Sequence, residues 1–533
     1  MSSSTSLARS AGLIGIATMA SRLLGVVREV VLAALFGAAG GVEMDAFNVA
    51  FRVPNLLRDL FAEGAMTAAF VPVFTRTLTR DGREAAWRLG SLVINALLIV
   101  TGGLVLAGLV FAGPITRSIA PHFADTPGKL ELTTALTRVM LPFLPTVAIS
   151  VAMMGVLNSL RRFFVPALAP AMFNIATIAC ALALVPLMPR AGLPPIAGIA
   201  IGTVIGGLGQ MLLQWPVLRR EGFHYRAVLD FRDPALRDVL RLLGPGTVGL
   251  AAVQINVFVN TYLATGQPQG AVSWLSYAFR LIYLPIGLFG VSLATAALPE
   301  IARHAARHDR PAIRRTLSGA LRMMLMLNVP ATVGLMVLAT PIVALLLERG
   351  RFTSFDTAAT AAALVCYAPG LLAYSAVKMT APTFYALGDS RTPVLFSLGS
   401  AGVNLALNLF LVRVLGFRGL ALGTALAAIF NAGSLLWVLR RRLEGLDGAR
   451  IATAFVKIAV ASLAMGAAAH LTMAWLDGAI AGSSTAVRGL RLSLAIGAGL
   501  LILAATARVL RLAELSEALD VVLRRRPAAV PPL

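Results

Sequence analysis

The sequence has little charge for its length. Of 533 residues, 13% are Asp, Glu, Lys or Arg, whereas a soluble protein carries about 25%. Hydrophobic residues make up 58% of the chain. A soluble fold would expose that much apolar surface as large patches, whereas a lipid bilayer solvates it. The composition therefore excludes an ordinary soluble protein and predicts an integral membrane protein.

Cysteine and histidine are also scarce. The two cysteines, Cys180 and Cys366, lie in apolar runs, and there are five histidines. This set offers neither a disulfide framework nor the ligand spacing of a metal site. We therefore expect no cofactor. A membrane enzyme such as a polyprenyl-phosphate glycosyltransferase is disfavoured, because it needs carboxylate or histidine clusters at a membrane face.

Long apolar segments recur along the chain, each close to the roughly 20 residues of a transmembrane helix. We count fourteen and predict an all-α polytopic membrane protein. Their approximate ranges are 11–36, 45–74, 89–113, 133–158, 164–187, 194–218, 240–265, 271–299, 316–346, 357–386, 393–414, 417–439, 451–475 and 487–510.

Positive charge is concentrated in alternate loops. The net charge is +22, from 46 Lys and Arg against 24 Asp and Glu. Arginines gather after even-numbered segments, as at residues 76–88, 219–237 and 303–315, whereas residues 266–270 contain none. By the positive-inside rule, both termini are cytoplasmic. This distribution explains the charge without nucleic acid, and contact with anionic membrane lipids is its secondary interpretation.

The two halves of the chain share landmarks at a nearly constant offset. The triplet AFR at residues 50–52 recurs at residues 278–280. Three prolines recur 227 residues later, which pairs apolar segments six apart and gives both halves the same orientation. The proline pairs are Pro72 with Pro299, Pro142 with Pro369, and Pro166 with Pro393.

Such a parallel repeat predicts two six-helix lobes with a substrate site between them, as in transporters. The first lobe would span residues 1–222 and the second residues 223–442. Residues 443–511 would form an extra helix pair, followed by a cytoplasmic tail at 512–533.

Charged residues interrupt the apolar segments, although an arginine at a helix centre costs about 2.5–3.5 kcal/mol. In the second segment, six polar residues are spaced three or four apart, so they share one helical face. They are Asp45, Asn48, Arg52, Asn55, Asp59 and Glu63.

The other segments add to this pattern. Ser273 and Arg280 repeat the stripe in the eighth segment, and the first segment contributes Arg22 and Arg28. Arg58 flanks the stripe. Guanidinium groups bind phosphate through paired hydrogen bonds, so these arginines predict a cationic cavity and a phosphorylated substrate.

Two interpretations remain open from the residues alone. Arg52 could instead form a structural ion pair with Asp59 or Glu63. Lys378, in the tenth segment, could either extend its amine to the membrane surface or contribute to the substrate site.

Several motifs resemble those of the MurJ (MviN) family of lipid II flippases, and the similarity extends over essentially the whole chain. The match in the first two segments is highly specific. The motifs occupy residues 21–29 (SRLLGVVRE), 45–47 (DAF), 54–58 (PNLLR), 61–65 (FAEGA), 272–274 (VSW), 280–281 (RL), 350–353 (GRFT) and 378–385 (KMTAPTFY).

The resemblance implies a fold of the multidrug/oligosaccharidyl-lipid/polysaccharide exporter superfamily in a bacterial inner membrane. It implies that lipid II, an undecaprenyl-pyrophosphate-linked disaccharide-pentapeptide, moves from the cytoplasmic to the periplasmic leaflet by alternating access. It matches Arg22, Arg28, Arg58 and Arg280 with the required cavity arginines, and Asp45 with the required aspartate. It also implies that the last two segments hold the lipid tail.

This chain departs from the family pattern beside two of those arginines. Phe279 stands where well-studied relatives carry an acid, and Asp59 stands where some carry a base. A monovalent coupling ion is left open. The alternative is a drug or cation antiporter of the same superfamily, which the buried arginines disfavour because such a protein needs an acidic or aromatic pocket. A scaffold role does not explain those arginines either.

Overall fold

The computed structural model describes residues 2–59, 65–512 and Glu514. Most of these residues are helical, and they include no β-strand. Short 3₁₀ turns at Pro121–Asp125 and Met188–Ala191 join some of the helices. The helices are α1 (Ser2–Phe36), α2 (Glu43–Arg58), α3 (Ala65–Arg80), α4 (Gly82–Ile119), α5 (Lys129–Met140), α6 (Phe143–Ser159), α7 (Phe164–Ala183), α8 (Ala197–Arg220), α9 (Pro234–Thr265), α10 (Ala271–Pro285), α11 (Ser292–Ala306), α12 (Arg310–Val337), α13 (Ala339–Leu347), α14 (Ser354–Tyr367), α15 (Gly370–Ala386), α16 (Arg391–Leu415), α17 (Phe417–Arg442), α18 (Gly448–Ala479) and α19 (Thr485–Val509).

Ten helical stretches in the described chain are long and apolar enough to cross a membrane. An eleventh is α14 with α15, a pair bent by 47°. The predicted first, second and seventh segments fall on α1, on α2 with α3, and on α9, which are not among these stretches. The all-helical membrane class is therefore confirmed, while the count of fourteen spans stays a prediction.

Several helices are interrupted where the sequence contains proline. Pro142 immediately precedes α6, and Pro369 immediately precedes α15. A π-helical turn, Ile286–Val291, follows Pro285 and joins α10 to α11. Proline has no amide hydrogen and its ring crowds the preceding turn, so helices break or bend at it.

Landmarks related by the offset of 227 residues occupy equivalent places in their helices. Pro142 and Pro369 each occupy the position before a helix begins. Pro166 is the third residue of α7, and Pro393 is the third residue of α16. The internal repeat of the sequence thus has a counterpart in local helix structure at these positions.

The chain divides into two compact units. Unit 1 comprises Met1–Ser273 and Arg349–Phe352, and unit 2 comprises Trp274–Glu348 and Thr353–Leu533. In unit 1, α9 packs against α3 and α4, so this unit extends past the repeat-based boundary at residue 222. The compact units are defined by contacts between residues, whereas the predicted lobes are defined by the sequence repeat. The lobe boundaries therefore stay a prediction.

Unit 1 has an apolar core that includes a group of aromatic rings. Phe74 and Phe223 both pack against Trp87, with ring centroids 6.0 and 5.5 Å away. The stretch after α8 has no helix of its own, and its backbone is held by α4. Asn95 donates to the carbonyl oxygens of Arg226 and Val228 at 3.0 and 2.7 Å.

A short turn of unit 1 explains the glycine in the motif at residues 350–353 (GRFT). The amide of Arg351 donates to the carbonyl oxygen of Ala34 at 2.9 Å, near the end of α1. Gly37 and Gly350 both have positive φ, at 64° and 58°. A Cβ atom would lie 2.4 Å from the Arg351 oxygen at Gly37, and 2.2 Å from the Ala34 oxygen at Gly350. Only glycine fits this close backbone contact.

In unit 2, the last two helices pack on the rest of the unit through α12. The buried side chains Met326 and Val329 of α12 share a cluster with Ala454 and Ile458 of α18. Lys457 donates to the carbonyl oxygen of Leu510 at 3.0 Å and so caps the end of α19. Within unit 2, α18 and α19 are therefore fixed to the core by apolar and polar contacts.

Candidate functional site

Asp45 lies in the first turn of α2 and is 1% exposed. Its Oδ1 accepts hydrogen bonds from the amide and hydroxyl of Ser273, at 3.0 and 2.6 Å. Its Oδ2 accepts from the amide of Gly270 at 2.8 Å. Because α10 begins at Ala271, these amides are among those that a helix start leaves without an intrahelical partner. Asp45 thus caps α10 from another helix.

The fourth donor to Asp45 is Lys129, at the start of α5. Its Nζ lies 3.0 Å from Oδ2, and the two side chains are 4% and 2% exposed. The same ammonium lies 4.1 Å from the centroid of the Phe123 ring. Lys129 was not predicted as a site residue, and the available signal was a lysine isolated in a loop between the third and fourth apolar segments.

Asn48 completes this cluster one turn further along α2. Its side-chain amide donates to the Ser273 hydroxyl at 3.2 Å. We call Asp45, Asn48, Lys129 and Ser273 the cap cluster. Asp45 and Ser273 occupy equivalent positions in the two halves of the sequence, and the structure brings them into direct contact.

On α1, Arg28 and Glu29 form an ion pair of 2.6 Å, with side chains 17% and 10% exposed. The guanidinium of Arg28 also lies 5.1 Å from the centroid of the Phe173 ring. Arg22, nearly two turns earlier, is half-buried. Asn174 donates to the Ser21 carbonyl oxygen at 3.0 Å and so fixes α7 beside this stretch of α1.

At the end of α2, Arg58 forms an ion pair of 3.0 Å with Asp59. Asp59 also accepts from Asn55 and from Gln254 of α9, both at 3.2 Å. Arg52 is half-buried on the same helix. Glu63 lies outside the described residues.

In unit 2, Arg280 is half-buried on α10. The preceding residue, Phe279, packs against the rings of Tyr367, Tyr374 and Tyr283, with centroids 5.4, 6.0 and 5.7 Å away. An aromatic cluster thus surrounds Phe279, the residue before Arg280 that departs from the family pattern. Lys378 of α15 is exposed.

In the described part of α1 and α2, positive charges outnumber negative charges. Over residues 22–59, Arg22, Arg28, Arg52 and Arg58 stand against Glu29 and Asp59, since the charge of Asp45 is matched by Lys129 and that of Glu43 by Arg351. Such an excess of guanidinium favours an anionic ligand. Among the described side chains, no group of three or more His, Cys, Asp or Glu could hold a metal ion.

A family profile described as "Lipid II flippase MurJ" matches residues 32–485. The chain belongs to the MurJ family. A MurJ relative from Bdellovibrio bacteriovorus, "Probable lipid II flippase MurJ", is 35% identical over 440 residues, which are 82% of this chain and 83% of that protein. Another from Burkholderia cenocepacia, "Lipid II flippase MurJ", is 33% identical over 429 residues, covering 80% and 82%.

Solved structures agree with MurJ membership. "Lipid II flippase MurJ, inward closed conformation" matches with a TM-score of 0.76 and 27% identity, over 93% of this chain and 99% of that one. An inward-facing multidrug transporter of the MATE family, in the MOP superfamily, matches with a TM-score of 0.69 and 17% identity, over 80% and 96%. At that identity the second match shows the fold alone.

Proposed function

We propose that this protein moves lipid II from the cytoplasmic to the periplasmic leaflet of a bacterial inner membrane by alternating access. The observation that carries the proposal is membership of the MurJ family over residues 32–485. The excess of half-buried arginine on α1 and α2 supports it independently, because the pyrophosphate of lipid II is an anion that guanidinium groups bind in pairs.

Four arginines carry the pyrophosphate in this proposal, and they are Arg22, Arg28, Arg58 and Arg280. Arg28 and Arg58 are each held by a neighbouring carboxylate, Glu29 or Asp59, which fixes the guanidinium and lowers the net charge. Because their charge is partly neutralised, these arginines bind the anion weakly enough to release it after transport. Arg52, Glu63 and Lys378 are proposed as secondary contacts.

Asp45 and Ser273 have a positioning role in this proposal. The Asp45 carboxylate already accepts four donors, so its function is to hold the start of α10 against α2 and α5. Transport makes and breaks no covalent bond. The membrane potential changes the free energy of any net charge that crosses the membrane by about 2.3 kcal/mol per elementary charge per 100 mV.

We further propose fourteen spans with both termini in the cytoplasm, and α18 with α19 as the contact for the undecaprenyl tail. Large apolar side chains on these helices support the tail assignment. Leu471 and Trp475 of α18 are 67% and 69% exposed, and Leu501 of α19 is 73% exposed. Each methylene kept from water contributes about 0.8 kcal/mol.

The arginine assignment is tested in cells that depend on this protein. Arg58→Ala and Arg280→Ala should each abolish growth and leave lipid II inaccessible to a probe on the periplasmic side. Arg303→Ala is the matched control, because Arg303 is exposed, with Glu300 3.8 Å away, and should transport normally. Normal transport by Arg58→Ala or Arg280→Ala at equal membrane abundance contradicts the assignment. Loss of transport on depletion of the unaltered protein tests the function itself.

A further inference from the structure

Side chains of α16 and α17 in unit 2 line an apolar groove. Its volume is about 460 Å³. The groove lies on two helices that are each long and apolar enough to cross a membrane, and it includes none of the arginines discussed above. Its lining residues are Phe396, Ile429, Phe430, Gly433, Ser434 and Trp437.

Positive charge stands at one end of this groove. α17 ends at Arg440, Arg441 and Arg442. The guanidinium of Arg441 lies 3.8 Å from the centroid of the Trp437 ring, so the charge is fixed directly over the groove wall. Arg440 is exposed beside it.

Arg442 is engaged elsewhere. It forms an ion pair of 2.5 Å with Asp389. Hydrogen bonds from the hydroxyl and amide of Thr392, with the nearby Arg442 charge, hold the pKa of Asp389 below its ordinary value. Arg440 and Arg441 are therefore the residues that present charge at the end of the groove.

We propose that this groove binds one acyl chain of an anionic phospholipid, with the phosphate held by Arg441 and Arg440. Charge complementarity supports this occupant, because an amphiphile with an apolar chain and an anionic head fits an apolar groove that ends in arginine. Stacking on Trp437 fixes the Arg441 guanidinium before the lipid arrives, which reduces the ordering that binding requires. This lipid is distinct from the transported substrate.

Gly433 keeps the groove open. A Cβ atom at Gly433 would meet no heavy atom within 4 Å, so a larger side chain enters the groove without a clash. Gly402 of α16 has the same open surroundings but does not line the groove. Gly433→Leu and Gly402→Leu are therefore a matched pair, in which the first fills the groove and the second leaves it empty.

The test uses Trp437 as the reporter. The full chain is placed in phosphatidylcholine nanodiscs with a small fraction of phosphatidylglycerol, and one or the other lipid carries brominated acyl chains that quench tryptophan. Trp475 is exposed as well, so Trp475→Phe serves as the background. The signal of Trp437 is then the difference from a chain that also carries Trp437→Phe.

At equal mole fraction, brominated phosphatidylglycerol should quench Trp437 more strongly than brominated phosphatidylcholine. Arg441→Gln should reduce this preference about fivefold, since a basic residue at a membrane surface contributes about a factor of five. Gly433→Leu should abolish it. Gly402→Leu should not change it, and neither should Arg413→Gln, whose exposed arginine lies at the opposite end of α16.

Three results would overturn the proposal. Equal quenching by the two lipids means ordinary boundary lipid. An unchanged preference in Gly433→Leu or Arg441→Gln means that the site lies elsewhere. Displacement of the brominated lipid by undecaprenyl phosphate, at a lower mole fraction than unbrominated phosphatidylglycerol needs, assigns the groove to the polyprenyl carrier.

Discussion

At the scale of single residues, the cap cluster contains a buried ion pair. Asp45 and Lys129 are almost without solvent, so neither charge has water to replace its partner. A buried ion pair stabilises a fold only when hydrogen bonds satisfy its remaining lone pairs, and Gly270 and Ser273 supply them here. Removing one of the two charges should therefore destabilise the fold more than removing both.

We therefore predict that Lys129→Met lowers the free energy of unfolding by about 3–5 kcal/mol, because it leaves a buried carboxylate without its counter-charge. Combining Asp45→Asn with Lys129→Met should recover part of this loss. Denaturant unfolding of the detergent-solubilised protein measures both changes.

Arg310→Met is the control for that experiment. Arg310 pairs with Glu444, but the two side chains are 62% and 78% exposed. An exposed pair contributes less than about 1 kcal/mol. If Lys129→Met were no more harmful than Arg310→Met, the buried pair would not be the stabilising feature that its geometry indicates.

At the scale of helices, α18 depends on a close approach to α12. A Cβ atom at Gly466 would lie 2.6 Å from Cγ1 of Val333. Met465, beside Gly466, belongs to the buried cluster that Leu503 of α19 completes. The absence of a side chain at Gly466 therefore determines how closely the last helix pair packs.

Gly466→Ala should destabilise the protein by about 1–3 kcal/mol through overpacking. It should also reduce lipid II transport, since the proposed tail contact moves with α18. Gly478→Ala on the same helix is the control, because a Cβ atom there meets nothing within 4 Å. Alanine at an unobstructed helix position stabilises by about 0.5–1 kcal/mol. Equal melting temperatures for the two variants would contradict the packing argument.

The sequence predicts helices better than their interruptions. Apolar length places the ends of α8 and of α16 through α19 within four residues, because bilayer thickness sets helix length. α4 extends six or seven residues beyond its predicted segment at each end. The bend of 47° between α14 and α15 was not predicted, and neither was the π-helical turn before α11. Both depend on how freed backbone groups are satisfied by neighbouring helices, which no local pattern records.

Some residues of the candidate site were predicted from the sequence, whereas others were not. Spacing along the second segment singled out Asp45 and Asn48, since residues three or four apart share a helix face, and Arg58 was noted only as flanking that face. Equivalence in the repeat identified Ser273, but not that it contacts Asp45. Lys129 lies 84 residues from Asp45 and follows no periodicity, so only the three-dimensional structure reveals the pair.

At the scale of the whole molecule, alternation of charge between loops predicts the orientation in the membrane. Gln267 precedes α10 in a loop without arginine, whereas Ala306 ends α11 beside several arginines and is exposed. The positive-inside rule places the first outside and the second in the cytoplasm.

In a chain whose cysteines at positions 180 and 366 are replaced by alanine, Gln267→Cys should react with a membrane-impermeant maleimide applied to intact spheroplasts. Ala306→Cys should react only after the membrane is opened. The reverse pattern would invert the orientation and with it the direction of transport.

The partners of Asp45 also differ in when they become available during synthesis. Ser273 lies 228 residues after Asp45, and Lys129 lies 84 residues after it. At about 5–20 residues per second, the ribosome adds Lys129 roughly 4–17 s after Asp45, and Ser273 roughly 11–46 s after it. Lys129 is therefore available to the nascent carboxylate well before the helix that Asp45 caps has been synthesised.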